Sequence, residues 1–242
     1  MGSHKVCGVA AMALIAIVAE GPSEQQFITN ILAPYLQQAS GGKLSAQAIV
    51  VKTSVAANGK ARFGGGGWYS RAGTGYDSLI RMLLAQPQWQ GVSTMIDYYG
   101  FPQDFIRKAG LVNPRCEDIE DKLLEYYRNR EQPGKWLPFV VKHEFESLVI
   151  AAALHGKSTV FSNAQVHQMA GWRDSSGGVE EINDSPQTAP SKRIIQLKES
   201  TPVPYSKVPD TKEVFDHASI EAVMDECPHF AGWVANLLSF AP

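Results

Sequence analysis

The sequence predicts an α/β protein, a mostly parallel sheet flanked by helices, with an irregular and helical extension at its C-terminal end. Two observations carry this. Short apolar runs alternate with segments of helical period over the first two-thirds of the chain, the pattern of strand–helix–strand units. From residue 174 to 209 the composition turns to Pro, Ser, Asp and Gly, and helical period then returns.

The apolar run 14–19 predicts a buried strand. Ser23 with Gln26 three residues on has the spacing of a capping box. Phe27, Ile28, Ile31, Leu32, Tyr35 and Leu36 then recur at helical intervals until Gly41-Gly42 stops them. Residues 48–55 predict a second strand, and Gly64-Gly65-Gly66-Gly67 a loop. A short helix over 76–86 precedes a third strand, 92–96, that runs into Asp97. The helix over 116–130 puts Ile119, Leu123, Leu124 and Tyr127 on one side. A fourth strand, 136–142, leads to a helix over 145–154. Residues 174–209 read as irregular except around 192–197, and helices are expected at 211–216 and 219–238. The economical organisation is one α/β domain, 13–172, with an extension, 173–242, packed on it.

Composition bounds the function. A chain of 242 residues hides roughly 70 % of its unfolded surface, so a large core is available. At 44 % apolar and 19 % charged residues it is not a disordered chain. A net charge of −2 excludes a strongly basic nucleic-acid coat, though not a locally basic groove. Cys7, Cys116 and Cys227 are odd in number, widely spaced and without a CxxC pair. That argues against a disulfide framework or structural zinc and for buried thiols in a reducing cytoplasm. The apolar run 6–19 behind Lys5 superficially resembles a secretion signal, but it is too short to span a bilayer and ends without a small-x-small cleavage site. Residues 1–12 are read as a leader, and no membrane association is expected.

In open α/β sheets, ligands bind outside the carboxyl ends of the strands. Three of the four predicted strands end in acid: Glu20 after the first, Asp97 after the third, Glu144 and Glu146 after the fourth. Gathered carboxylates repel unless a cation sits among them, and Mg²⁺ or Mn²⁺, which prefer oxygen ligands, are the natural fillers. If 143–146 is extended, Glu144 and Glu146 share a face; if the helix has already begun, only one looks at the site. Glu24 lies in the first turn of a helix, where a capping role is favoured over a chemical one.

Several segments resemble a known family. Ile17-Val18-Ala19-Glu20-Gly21-Pro22-Ser23-Glu24 resembles the first motif of Toprim domains, a strand followed by a Glu-Gly turn. Met95 to Pro102, His143-Glu144-Phe145-Glu146-Ser147-Leu148, Asn183 to Arg193, Tyr205-Ser206-Lys207 and Cys227-Pro228-His229-Phe230 with Trp233 resemble, in order, the Toprim-like domain-of-unknown-function family 4276. The resemblance implies a Toprim-like fold and Mg²⁺- or Mn²⁺-dependent phosphodiester chemistry. Glu20 would be general acid/base or metal ligand, and Asp97 with Glu144 or Glu146 would bind metal. It further implies a nuclease acting on DNA or RNA in anti-phage defence beside a separately encoded ATPase, with a homo-oligomer possible. One departure matters: Toprim domains carry Asp-x-Asp where this chain has Asp97-Tyr98-Tyr99. A phenol titrating near 10 is no metal ligand at neutral pH, which puts a two-metal mechanism in doubt.

Lys192, Arg193 and Lys207 are candidates to neutralise substrate phosphate, although ordinary surface charge is their plainer reading. His143 beside Lys142 could shuttle a proton or simply pack at a helix start. Trp68, Tyr69 and Arg71 could stack on a base, though covering the sheet edge is the favoured role. Other motifs fail. Gly156-Lys157-Ser158 lacks the upstream glycine of a Walker A loop, and Ser147 stands where HExxH needs its second His. Gly73-x-Gly75 is too short for a nucleotide fingerprint, and His155, His167, His217 and His229 lack metal-ligand spacing. Two further functions remain open: a non-catalytic regulatory or scaffold subunit with a degenerate metal site, which Tyr99 favours, and a phosphoryl-transfer enzyme for small nucleotides.

Overall fold

The computed structural model describes residues 12–55, 61–63, 66–69, 75–128, 134–183, 185, 187–199 and 201–242; for 52–55 and 61–63 only the backbone is described. Cys7, Arg71, Gly73 and Asp184, singled out above, lie outside these residues.

Strand β1 (Ala13–Ala19) is almost wholly buried because it lies between two parallel neighbours, β2 (Leu44–Val50) and, beyond β3 (Lys52–Val55) and β4 (Ala61–Phe63), β5 (Gly91–Asp97). Strands buried on both faces read as mostly apolar runs, continuous in β1 and interrupted in β5 only by Ser93 and Thr94, which is why both are visible in the sequence. The far side of β5 pairs with two short parallel pieces, β6 (Trp136–Leu137) and β7 (Val140–Val141). The single strand expected over 136–142 is split because Pro138 has no N–H to offer the ladder. Thr94 closes the gap: its Oγ1 accepts from Phe139 N and donates to Phe139 O, both at 2.9 Å. β3 and β4 form a separate antiparallel ribbon, so the second strand sits earlier than expected and stops at Val50.

Helices cover both faces. On one lie α1 (Pro22–Phe27), a π turn (Ile28–Leu32) and α2 (Ala33–Ala39), the crossover between β1 and β2. Pro34, in the first turn of α2, would collide with a preceding carbonyl in a regular helix, and the widened turn absorbs it. Helix α1 opens on Gly21 with Pro22 just inside, so Ser23 does not cap it, contrary to the capping-box spacing. The other face carries α3 (Tyr76–Ala85), α4 (Gln103–Lys108) and α5 (Cys116–Arg128), which pack Ile80, Phe105 and Leu123 towards Val18, Val92 and Ile96.

The first face is completed by α6 (Glu146–His155), α7 (Asn163–Ser176), a 3-10 turn (Val179–Glu181), α8 (Pro190–Glu199), α9 (Lys207–Asp216), α10 (Ile220–Glu226) and α11 (Pro228–Leu238). Of the stretch expected to be irregular, 182–183, 187–189 and 201–206 are non-helical as expected, while α8 lengthens the helical piece expected around 192–197 and the 3-10 turn and the start of α9 are additions. Helix α7 was not expected, yet it opens on a capping box, Ser162 with Gln165, and ends on left-handed Gly177. Pro228 breaks the single helix expected over 219–238 and opens α11. Phe215 lies 4.6 Å from Phe27, and Trp233 stacks at 4.3 Å on Phe139 while donating to Ser93 Oγ at 2.8 Å. The C-terminal third thus shares one core with β1 and β5. No helix among the described residues is long and apolar enough to cross a membrane.

Candidate functional site

The strand order β2-β1-β5 reverses the direction of winding at β1, and the carboxyl ends of β1 and β5 meet there. Ala19 pairs with Met95, so Glu20 and Asp97 emerge side by side, and Asp97 N lies 3.4 Å from Glu20 Oε2. Glu24 follows one helical turn after Glu20 and is 3 % exposed. Glu146, 1 % exposed, is the first residue of α6, whose N-terminal dipole favours a negative charge. Asp97, 8 % exposed, accepts from Phe145 N at 2.7 Å and so caps that same helix.

One cation enters this group. Lys207, the first residue of α9, places Nζ 3.1 Å from Glu146 Oε1 and 3.7 Å from Glu24 Oε1. Burial, reinforced by Glu24, pushes the Glu20 carboxyl above its ordinary value, and burial with the charge of Glu20 pushes Asp97 well above. Burial also raises Glu146, against the pull of Lys207. Burial works against the Lys207 ammonium, but Glu146, Glu24 and Asp97 outweigh it and hold its pKa up. Tyr76 lies buried beside the group, its phenol raised by burial and then by Glu20 and Asp97. Gly100 is required here for lack of a side chain: a Cβ would stand 2.9 Å from both Glu20 oxygens.

Glu144 is set apart. His143 adopts a left-handed backbone (φ 62), which turns the chain between β7 and α6 and parts Glu144 from Glu146. Glu144 Oε2 instead accepts from Ser191 N at 2.8 Å, in the first turn of α8. Glu144→Ala is therefore expected to cost about 1 kcal/mol of stability as a lost cap. Mn²⁺ affinity measured by calorimetry should stay within about twofold, about 0.4 kcal/mol.

The other candidates divide. Lys192 is exposed on α8, and Arg193 donates to Thr188 O at 2.9 Å while its guanidinium lies 5.6 Å from the Trp172 ring. Neither shares the contacts of Lys207 with the carboxylates. Tyr99 receives a hydrogen bond from Asn183 Nδ2, which also lies 3.2 Å from His143 Nδ1. Trp68 is fully buried and stacks between Tyr76 and Phe101, so it belongs to the core. Cys116 and Cys227 are buried thiols, and burial pushes Cys116 up to about 12, too high to serve as a nucleophile. His229 pairs with Glu120 at 3.1 Å.

Glu24 lies in the first turn of α1, as expected, but makes no side-chain cap there, and its charge also acts on Glu20. The signal was present in the spacing, since residues four apart across a helix start face the same way. Gly100 falls within the Met95–Pro102 motif, which assigns it no role of its own, and nothing around Tyr76 marks that residue.

Among the described residues, no three Asp, Glu, His or Cys side chains already surround a point that could hold a metal ion. The donor set is nevertheless of the right chemistry for a hard divalent ion, being all carboxylate oxygen. Glu146 Oε2 is also buried without any hydrogen-bond partner, a costly state that a cation would relieve.

The sequence matches the family model described as domain of unknown function DUF4276 over residues 19–238, which contains every carboxylate of the group and Lys207. The chain belongs to the DUF4276 family. No curated protein matches this DUF4276 chain. Among solved structures it is similar to the C-terminal region of the Burkholderia pseudomallei OLD protein, at 15 % identity and a TM-score of 0.43, covering 95 % of this chain and 97 % of that one.

Proposed function

We propose that this DUF4276 protein hydrolyses phosphodiester bonds in nucleic acid with the help of Mg²⁺ or Mn²⁺. The observation that carries the reading is the convergence of Glu20, Glu24, Asp97 and Glu146 at the strand switch point, three of them buried and with only Lys207 as counter-charge among the described residues. So costly an arrangement is kept where the charge has a use. A divalent ion held by Asp97, Glu146 and Glu20 would supply Lewis-acid activation of the phosphate and of water. Glu20, at the solvent edge of the group and with a raised pKa, is suited to exchange a proton with the attacking water. Lys207 is 46 % exposed at its side chain, so its ammonium can swing from Glu146 to a phosphate oxygen and neutralise the charge that develops there. The motif resemblance supports the same reading and adds its setting, an anti-phage effector in the cytoplasm partnered by a separately encoded ATPase.

A second reading has its own support. Lys207 already provides the group with a cation, and Tyr99 replaces a ligand; a protein that has given up metal for an internal ion pair would serve as a scaffold or regulatory subunit.

Mn²⁺ titration by calorimetry separates the two. Saturable binding is expected at neutral pH, weakening as pH falls, because Asp97, Glu20 and Glu146 hold their protons above the ordinary carboxylate range and must release them to the metal. Binding should be accompanied by metal-dependent cutting of DNA or RNA. Absence of saturable binding at millimolar Mn²⁺ would overturn the catalytic reading in favour of the scaffold.

A further inference from the structure

A cavity of about 540 Å³ opens beside the candidate site, on the far side of the turn that follows β5. Its inner wall is Tyr98, Tyr99 and Phe101, the residues on either side of Gly100, against which the Glu20 carboxylate rests. The floor is apolar, with Ile106 and Ile119 buried and Phe101 2 % exposed. The outer wall is the segment 111–114, pinned by Tyr98 Oη donating to Pro114 O at 2.6 Å. Arg107, exposed at the rim on the last turn of α4, has no ion-pair partner among the described residues.

We propose that this cavity seats one nucleotide of a single-stranded nucleic acid, its base against the half-buried Tyr98 and Tyr99 rings and its phosphate on Arg107, beside the carboxylate group. The inference rests on the function proposed above and names its substrate class. The cavity volume suits one such unit, and an apolar and aromatic lining, with a guanidinium at its rim that has no ion-pair partner among the described residues, complements a base joined to a phosphate. A base in a duplex has both faces covered by its neighbours, so an unpaired strand fits. The occupant is limited to about one nucleotide by what adjoins: a smaller cavity sharing Leu111, Val112 and Pro114 is walled by Asp118, Asp121 and Glu125 together with Lys122, which Glu125 already holds at 2.6 Å, so its net charge disfavours a continuing backbone. The neighbouring wall on the other side offers Lys142, already paired with Glu181 at 2.7 Å, and Arg115, already paired with Asp118 at 3.2 Å.

The test is fluorescence anisotropy with end-labelled DNA and RNA 12-mers in EDTA, where binding is read without cleavage. Arg107→Glu reverses the rim charge, and Val112→Glu adds an anion at a residue 85 % exposed, where the fold is indifferent. Lys43→Glu, exposed before β2 at the opposite end of the strands, makes the same charge change elsewhere. Both cavity variants should weaken single-strand binding about tenfold, while Lys43→Glu stays within about twofold. Arg107→Glu should also lower the slope of log affinity against log salt by about 1. The DNA and RNA arms report which sugar is preferred. Equal binding by all four proteins, no single-strand binding at micromolar protein, or equal Arg107-dependent binding of blunt duplex would each overturn the proposal. Metal-dependent cutting that Arg107→Glu and Val112→Glu leave unchanged overturns the cavity and keeps the nuclease. Arg107-dependent binding in a protein that takes up no Mn²⁺ keeps the cavity and overturns the nuclease.

Discussion

Asp97→Asn is expected to lower metal-dependent cleavage by about a thousandfold or more, about 4 kcal/mol in activation free energy, without loss of stability. Asparagine retains an oxygen where Asp97 accepts from Phe145 N, so the cap on α6 survives the change. What disappears is a carboxylate that burial and Glu20 already disfavour as an anion. The sign follows from linkage. The Asp97 carboxyl holds its proton to higher pH in the folded protein than in the unfolded chain. The folded state therefore binds more protons above the ordinary carboxylate range, and its stability falls as pH rises through that interval. The amide, which does not titrate, removes this slope. In metal-free protein at neutral pH the melting temperature should be unchanged or higher, by about 2–4 °C for each kcal/mol of repulsion relieved. Thermal melts of both proteins at pH 5 and 7.5 check it: the difference should grow with pH. A variant that melts early, or that cuts as fast as the parent, would remove Asp97 from the mechanism.

Lys207→Met should act in the opposite sense on stability. It strips the counter-charge from Glu146 and Glu24 and leaves both carboxylates buried. Breaking a fully buried pair costs about 3–5 kcal/mol. Because the Lys207 side chain is 46 % exposed, solvent screening reduces the expectation to about 1–3 kcal/mol. Melting should fall by several degrees at pH 7.5 and by less at pH 5, where Glu146, with its raised carboxyl, takes up a proton and needs no partner. Adding Glu146→Gln to the variant should restore most of the loss. Mn²⁺ affinity should rise, since the ion no longer competes with an ammonium, while cleavage falls about a hundredfold for want of charge neutralisation at the phosphate. Higher metal affinity with undiminished cutting would show that Lys207 only fills space until metal arrives.

What could be read from the sequence follows the reach of the interactions. Strands β1 and β5 are visible because two-sided burial favours apolar residues, β5 admitting only Ser93 and Thr94 with their hydroxyls hydrogen-bonded, and the acids that close the strands stand out against them. Helix α5 is visible through its apolar stripe of Ile119, Leu123 and Tyr127. Helix α7 escapes because it buries only Gln165 and Met169, too little for a stripe, and α4 because six residues hold less than two turns. The site was legible in its carboxylates and not in its arrangement. Whether Glu144 or Glu146 faces it depends on the left-handed turn at His143, a conformation that the residue type does not announce. The choice of Lys207 over Lys192 and Arg193 depends on α9 packing Phe215 against Phe27, a tertiary contact between residues far apart in the chain.

The order in which these side chains occur along the chain also governs when the site can exist during synthesis. Glu20, Glu24 and Asp97 leave the ribosome first, Glu146 later, and Lys207 only with α9. Since β1 is the middle strand, its carboxyl end cannot close until β5 has been made and docked. The acids then await a cation that the chain itself delivers more than a hundred residues after β5 begins to emerge, by the ordering of Gly91 and Lys207. A nascent protein halted before α9 would carry an uncompensated anionic cluster and an unfinished core. Assembly of the carboxylate group thus waits on α9, and products truncated before it are expected to lack the proposed activity.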